Sequence, residues 1–222
     1  IVNRIEEHGQ TVSDAHRTVL LNIAKVMDSP MAARDRIVPT VIPAVPGIGK
    51  TTFLVEYIVH RLHRDPDFGA VLVVERQDTI DEIVERINGN PLIDDRGDNW
   101  AYGMKGYEKE YCAMRYPTYR HSQCKTCDKY ECRVKTNFAI QRKYRVVVIS
   151  QKRLFDMSDS ENLMGELRLW KKMLRTWNMK EGRQCYEKHA RELLLIDEKP
   201  KLIENIPTDM GMWGELIAET MM

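Results

Sequence analysis

The residues best suited to chemistry form a glycine-rich segment, AVPGIGKTT, at residues 44–52. It follows the phosphate-loop pattern G-x-x-x-x-G-K-[ST], with Ala44 in place of the first glycine. The remaining glycines can bend the backbone around phosphate oxygens, Lys50 can reach the β- and γ-phosphates, and Thr51 can offer its hydroxyl to Mg²⁺. We therefore predict that ATP and Mg²⁺ are bound by Pro46, Gly47, Ile48, Gly49, Lys50, Thr51 and Thr52. The alternative is a glycine-rich turn that contains a lysine by chance.

A pair of carboxylates, Asp197 and Glu198, ends the apolar segment ELLLIDE at residues 192–198. Asp197 would hold Mg²⁺ directly or through water, and Glu198 would orient and polarise the attacking water. Alone, such a segment is usually a strand that meets solvent, but together with the phosphate loop it predicts a nucleotide hydrolase. The predicted catalytic residues are Lys50, Asp197 and Glu198, and the predicted Mg²⁺ ligands are Thr51 and Asp197.

Four of the five cysteines are clustered, with the spacing C-x11-C-x2-C-x4-C; they are Cys112, Cys124, Cys127 and Cys132. Thiolates this close in a reducing compartment usually share a metal, and four of them suit zinc or an iron–sulfur cluster equally. Free thiols and a disulfide are the alternatives, and His121 could replace one ligand. Cys185 stands alone and is expected to be a small buried residue.

The segment around these cysteines is basic and rich in tyrosine. Residues 105–145 contain eleven Lys and Arg against four Asp and Glu, and seven of the nine tyrosines lie between residues 102 and 144. Cations that bind phosphates, interleaved with rings that stack on bases, favour contact with single-stranded nucleic acid. The alternative is a solvated loop whose tyrosines pack around the metal.

Alternating strand and helix patterns surround these residues. Apolar spacing predicts helices at 12–27, 51–64 and 79–88 and strands at 36–45, 70–75, 144–150 and 192–198. A capping box of Ser158 and Glu161 precedes a helical stripe of Leu163, Leu167, Trp170, Leu174 and Trp177. The alternation predicts an α/β fold in which helices flank a parallel sheet.

Between about residues 90 and 142 the sequence shows no clear alternation of strand and helix patterns. We therefore divide the chain into a first part of an ATPase domain (1–89), a cysteine-rich insertion (90–142) and a second part of the ATPase domain (143–222). An insertion of this size and polarity cannot bury a core of its own, so a bound metal would hold it together.

The composition of the chain limits the classes of protein to which it can belong. The chain has 222 residues, of which 43% are hydrophobic, and its formal net charge is +1, so it can form a sizeable core and is not a polycation. No run of 18 apolar residues and no signal-peptide pattern is present, so we expect no membrane contact. Clustered cysteines without such a signal predict an intracellular, reducing compartment.

In the order of these motifs the chain resembles domain 1 of the superfamily 1 and 2 helicases. AVPGIGKTT resembles their motif I, AVLVVERQDT (70–79) motif Ia, and LLLIDEKP (193–200) motif II, while VVVISQKRL (146–154) is similar to an intervening segment. The resemblance implies a RecA-like P-loop ATPase domain of a DNA helicase or translocase. It also implies a second RecA-like domain that this chain lacks, so we expect a fragment of a longer motor that hydrolyses ATP weakly on its own.

Two details of this resemblance concern individual residues. The usual DEAD or DEAH of motif II is here Asp197-Glu198-Lys199-Pro200, so coupling to other motifs is not carried over. Gln10 is a candidate for the upstream glutamine that contacts adenine in these motors. The four-cysteine insertion lies where iron–sulfur helicases carry theirs, although the spacing matches only in part and zinc stays open.

Two other functions stay open. A different P-loop DNA motor, such as a viral packaging ATPase, shares the loop and the acidic strand end. A nucleotide-gated binding module would use the cysteine-rich segment to recognise nucleic acid without performing work.

Overall fold

The computed structural model describes residues 5–6, 11–28, 41, 48–93, 100–105, 132–158, 161–178 and 183–197. The helices are α1 (Asp14–Asp28), α2 (Lys50–Arg64), α3 (Thr79–Asn88), α4 (Arg133–Gln141), α5 (Gln151–Ser158) and α6 (Glu161–Arg168). The strands are β1 (Ala70–Val74), β2 (Ala101–Met104), β3 (Val146–Ser150), β4 (Leu169–Asn178), β5 (Arg183–Ala190) and β6 (Leu193–Ile196). None of the helices in these ranges is long and apolar enough to cross a membrane.

Four strands form a parallel sheet in the order β2-β3-β1-β6. Strand β1 pairs with β3 on one side, where Ala70 lies opposite Val146, and with β6 on the other, where Ala70 lies opposite Leu193. Strands β4 and β5 form a separate antiparallel pair. The predicted α/β fold, with helices flanking a parallel sheet, is confirmed.

Both faces of the central strands β1 and β3 are buried, which explains why these strands are continuous apolar runs. Side chains alternate between the faces. Leu72, Val74 and Val148 pack against α2 and α3 on one face, whereas Val71, Val73 and Ile149 pack against residues of α5 and α6 on the other. Helix α1 packs outside α2, where Leu20 and Ile23 meet Phe53 and Tyr57. The sheet is therefore the middle layer of this core.

Most of the predicted elements are confirmed within a few residues: α1, α2, α3, β1, β3 and β6. Their inward-facing residues are also confirmed in part, since Phe53, Ile58 and Leu62 of α2 and Ile80, Ile83 and Ile87 of α3 are buried. Of the predicted strand at 36–45 the structure describes Val41 alone, which is 84% exposed and lies outside regular secondary structure.

The helix predicted over residues 163–177 is wrong beyond Arg168. Helix α6 ends there, and strand β4 begins at Leu169. In a longer helix the Lys171 amide would donate to the Leu167 carbonyl, but it donates to Arg142 O at 2.6 Å. The Leu167 carbonyl instead accepts a bond from the Arg191 guanidinium. These tertiary hydrogen bonds replace the helical ones. Trp170 and Trp177 therefore lie in strand β4, although their spacing along the sequence is helical.

The predicted capping box is also wrong, because Ser158 is the last residue of α5 and not the N-cap of the next helix. Its hydroxyl donates to Phe155 O at 2.8 Å. Helix α5 itself was not predicted.

Sequence periodicity missed two elements between residues 90 and 142. Strand β2 extends the sheet beside β3, and helix α4 packs near it. A glycine in the middle of a strand normally weakens it. Here a Cβ at Gly103 would lie 2.6 Å from Ile80 Cγ2, so the close approach of α3 to β2 requires glycine.

Two buried arginines hold the amino-terminal edge of the sheet. Arg191 donates five hydrogen bonds to carbonyls of the turns that end α4 and α6 and of the segments that begin β3 and β4. Arg145 donates to carbonyls at the end of α2 and to Phe68 O, and its guanidinium lies over the rings of Trp100 and Trp170. Burial lowers the pKa of Arg191 to about 9, still well above neutral, so the guanidinium is charged.

Replacement of Arg191 should therefore cost much stability. We expect Arg191→Met to lower the free energy of unfolding by about 3 kcal/mol, because several buried carbonyls lose their donor. The loss of stability in Arg191→Lys should be smaller than in Arg191→Met but still measurable, since an ammonium has only three donors for the five hydrogen bonds. Chemical denaturation measures both, with the exposed Arg168→Met as a control that should change stability by at most about 0.5 kcal/mol. A loss below about 1 kcal/mol for Arg191→Met would contradict this role.

Candidate nucleotide and magnesium site

The N-terminus of α2 carries the described part of the phosphate loop. Gly49 precedes the helix with φ 78° and ψ 30°, a left-handed conformation that glycine adopts without strain. Its carbonyl accepts the Phe53 amide at 2.9 Å, so the helix begins directly after it. Among the described residues, no side chain caps this end. The first amides of a helix have no intrahelical partner, which makes this terminus suited to an anion.

Thr51 and Asp197 meet at this end of α2. They are 146 residues apart in sequence, yet the Thr51 hydroxyl donates to Asp197 Oδ2 at 2.5 Å. Strand β6 brings Asp197 there, since it pairs with β1 and the Asp197 amide continues the ladder by donating to Val73 O at 3.0 Å. Asp197 therefore lies at the carboxyl edge of the sheet, beside the first turn of α2.

The second carboxylate oxygen of Asp197 has no hydrogen-bond partner in the part of the chain that the structure describes. Oδ1 is buried and accepts no hydrogen bond from any residue that the structure describes. A buried anionic oxygen in this state is costly, and a bound cation is the usual remedy. Mg²⁺ typically takes one or two protein oxygens and completes its shell with phosphates and water. The pair of Thr51 and Asp197 fits this requirement.

The other predicted nucleotide-site residues divide into two groups. Ile48, Lys50 and Thr52 lie next to Gly49 around the start of α2, with Ile48 buried and Lys50 partly exposed. Ala44, Pro46, Gly47, Glu198 and the adenine candidate Gln10 lie outside the described residues. The structure thus brings together Thr51 and Asp197, with Lys50 adjacent in the chain, and leaves the position of Glu198 as a prediction.

Sequence reasoning assigned no role to Gln151, which follows β3 at the same carboxyl edge. Ser150 pairs with Val74, so β3 ends level with β1 and on the side opposite β6. The Gln151 side chain is buried. A polar residue directly after a buried parallel strand was the available signal, because ligands of open α/β sheets bind at this edge.

Of the four predicted thiolate ligands the structure describes Cys132 alone, while Cys112, Cys124 and Cys127 lie outside the described residues. Cys132 is buried and precedes α4, where its carbonyl accepts the amide and the hydroxyl of Thr136. Nearby, buried Asn137 accepts from the Tyr102 hydroxyl and donates to Lys105 O. Asn137 thus joins the end of β2 to the middle of α4. Within the described ranges, no group of three or more His, Cys, Asp or Glu side chains could hold a metal.

Comparison with known proteins adds no relative. No protein-family model matches the chain, and no curated protein matches it in sequence. The geometry around Asp197 is therefore the observation that bears on function.

If Asp197 is a magnesium ligand, its negative charge should be required for Mg²⁺ binding and not for folding. We expect Asp197→Asn to keep the fold, because the amide oxygen can still accept from Thr51 and a buried charge is removed. In this variant, Mg²⁺ should no longer increase the unfolding temperature of the protein beyond the value reached with ADP alone. Thermal unfolding with ADP, with and without Mg²⁺, measures this. Asp78→Asn, an exposed carboxylate after β1, should behave like the wild type; equal Mg²⁺ responses in both variants would disprove the assignment.

Proposed function

We propose that this chain is the ATP-binding and ATP-hydrolysing domain, with a RecA-like fold, of a DNA helicase or translocase. The observation that carries the proposal is the contact between Thr51 and Asp197 at the start of α2. Thr51 of the predicted phosphate loop and Asp197 of the predicted acidic strand end are neighbours in space, and among the described residues one buried oxygen of Asp197 has no hydrogen-bond donor. Together these features support a site for a nucleoside triphosphate with Mg²⁺.

Each residue would have one task in this site. The α2 N-terminus and the Lys50 ammonium would bind the β- and γ-phosphates, because both present positive charge to them. Thr51 and Asp197 would hold the metal, and the bond from the Thr51 hydroxyl to Asp197 would keep the threonine oxygen oriented. Glu198, the next residue in the chain, would orient the attacking water and accept its proton.

Bound Mg²⁺ would neutralise charge on the β- and γ-phosphate oxygens. The protein contributes position: Asp197 is held by the ladder between β6 and β1, and Thr51 by the first turn of α2. In a complete motor, a second RecA-like domain would close on the nucleotide. We expect the isolated chain to bind ATP and to hydrolyse it slowly.

The cysteine-rich segment would supply contact with nucleic acid. The part of it that follows β2 starts from the same carboxyl edge at which β1 and β6 end, because all strands of the sheet are parallel. A metal held by its four cysteines would give this segment a defined shape. Its basic and aromatic residues would then bind single-stranded DNA on the nucleotide side of the sheet.

Removal of the Lys50 charge tests the nucleotide site. In the wild type, Mg-ATP at 100 times its dissociation constant should raise the free energy of unfolding by about 2.7 kcal/mol. Lys50→Ala should lose this stabilisation while unfolding normally without nucleotide, because Lys50 lies on the surface side of the first turn and is only partly buried. Lys25→Ala, an exposed lysine on α1, should keep the full effect. An unchanged response to Mg-ATP in Lys50→Ala would refute the phosphate-loop assignment.

Metal analysis tests the cysteine-rich segment. Protein purified without oxygen should contain either iron with acid-labile sulfide or one zinc per chain, bound by Cys112, Cys124, Cys127 and Cys132. Cys124→Ser with Cys127→Ser should lose the metal but keep the stabilisation by Mg-ATP. Iron with sulfide would favour strand separation as the function, and zinc would favour a motor or binding module of another kind. Protein without metal would end the proposal for this segment.

A further inference from the structure

A small pocket lies between the start of the β4–β5 hairpin and the ends of α4 and α6. Its volume is about 130 Å³, and it is lined by Arg142, Glu166, Leu169, Trp170, Lys171 and Lys188. Three of these side chains are cations and one is a carboxylate. Trp170 also packs against Gly69, directly before β1. The pocket is therefore at the amino edge of the sheet, opposite the edge at which Asp197 lies.

The negative ends of the two helices do not need these cations. A helix C-terminus attracts positive charge through its unpaired carbonyls. Here buried Arg191 donates to Gln141 O and Tyr144 O at 2.7 Å each, and to Leu167 O at the end of α6. Since Arg191 already satisfies these carbonyls, the positive charge of the pocket is left for another anion.

Lys171 and Lys188 lie directly opposite each other on β4 and β5. Like charges in this arrangement destabilise an antiparallel pair. Among the described residues, neither ammonium has a carboxylate partner, whereas the adjacent Lys172 pairs with Asp67 at 2.5 Å. The hairpin thus neutralises the lysine on one face and leaves the two lysines on the other face unneutralised.

The third cation is held in place by an ion pair. Glu166 accepts two hydrogen bonds from the Arg142 guanidinium, which fixes the plane of that group at the side of the pocket. Glu166 offsets one of the three positive charges. Two positive charges remain, which is enough to neutralise the single negative charge of a backbone phosphate.

An exposed aromatic ring adjoins the lysines. Tyr186 lies two residues before Lys188 on β5, is 55% exposed, and has Lys171 Nζ 6.0 Å from its ring centre. A cation that binds phosphate beside a ring that can stack on a base is the arrangement found in single-strand binding surfaces. The pocket is too small for a whole nucleotide, because small-molecule pockets begin at roughly 300 Å³.

We propose that the pocket formed by Arg142, Lys171 and Lys188 binds a phosphate group of a single-stranded nucleic acid, with Tyr186 stacking on the neighbouring base. This second contact lies at the amino edge of the sheet and is independent of the nucleotide site. It places nucleic acid on a surface to which the β4–β5 hairpin contributes two of the three cations. Free phosphate has the same chemistry, and the test separates the two sources.

The experiment compares the full chain with the double variant Lys171→Ala/Lys188→Ala. Binding of a fluorescent oligo(dT) is measured by anisotropy, without nucleotide, over a range of salt concentrations. We expect the double variant to bind about tenfold more weakly and the magnitude of the slope of log K against log salt to fall by about 0.7, since the pocket holds one phosphate and each single-strand phosphate contact contributes about 0.7. Tyr186→Leu should weaken binding with an unchanged slope, because stacking releases no counterions.

Three controls make the result decisive. Lys25→Ala/Arg64→Ala removes two exposed cations that neither line the pocket nor belong to the basic segment 105–145, and it should retain wild-type binding. Circular dichroism and thermal unfolding without ligand show whether each variant is folded; if the double alanine variant is not, Lys171→Gln and Lys188→Gln are used singly. Lys50→Ala should bind oligo(dT) normally, so failure of the nucleotide site leaves this test intact.

Inorganic phosphate distinguishes the ligands. Millimolar phosphate should stabilise the wild type more than the double variant and should compete with oligo(dT). If phosphate binding depends on Lys171 and Lys188 but oligo(dT) binding does not, the pocket takes free phosphate and the nucleic-acid assignment is overturned. If neither ligand responds to the double variant beyond the control pair, the site itself is overturned.

Discussion

The double pairing of β1, with β3 on one side and β6 on the other, is the constraint on which the rest of the structure depends. Parallel strands place all their carboxyl ends at one edge of a sheet, and the register brings Val73 level with Ile196. Asp197 therefore emerges next to the end of β1. Helix α2 packs across the face of β1 through residues such as Val55 and Ile58, which brings Thr51 to the same edge. The contact between Thr51 and Asp197 follows from this packing.

The two edges of the sheet have opposite character. At the carboxyl edge, helix α2 presents its amino terminus and Asp197 presents an unneutralised oxygen. At the amino edge, Arg145 and Arg191 fill the space with guanidinium groups that bind carbonyls of the turns and helix ends. Chain reversals there are tightly bonded and leave backbone groups satisfied. The amino edge is therefore built for stability, and the β4–β5 hairpin begins from this rigid base.

Sequence reasoning succeeded where local pattern and tertiary environment agree. The runs of β1 and β3 are apolar on both faces, and the stripe of α3 has its isoleucines at helical spacing, so burial follows directly from the pattern. Thr51 and Asp197 were predicted to share a site because each belongs to a motif with a defined place in an α/β sheet. The 2.5 Å contact between them is the part of the site that the structure adds.

The failures have a common cause, which is a distant side chain that decides the local backbone. Leu167 and Trp170 have helical spacing, but Arg191, more than twenty residues later, takes the carbonyls that a helix would need. Strand β2 is short and contains Gly103, which is there because Ile80 packs against it. Neither effect is visible in a window of neighbouring residues. The basic pocket was missed for the same reason, since Arg142, Lys171 and Lys188 come together only when the hairpin forms.

Arg191, which is buried, and Asp197, which has one buried carboxylate oxygen, are treated differently by the same fold. Burial of either charge is costly, and the cost is met only if each polar atom has a partner. Arg191 has five carbonyl acceptors, so its charge is used to hold the chain together. Asp197 has one hydroxyl donor, and its other oxygen has none within the described residues. The protein supplies few donors to Asp197 although Thr51 shows that a donor can reach it. A carboxylate kept in this state is destabilising for the fold alone and useful if a cation binds there, so Asp197, and not the more heavily bonded Arg191, is suited to bind a ligand.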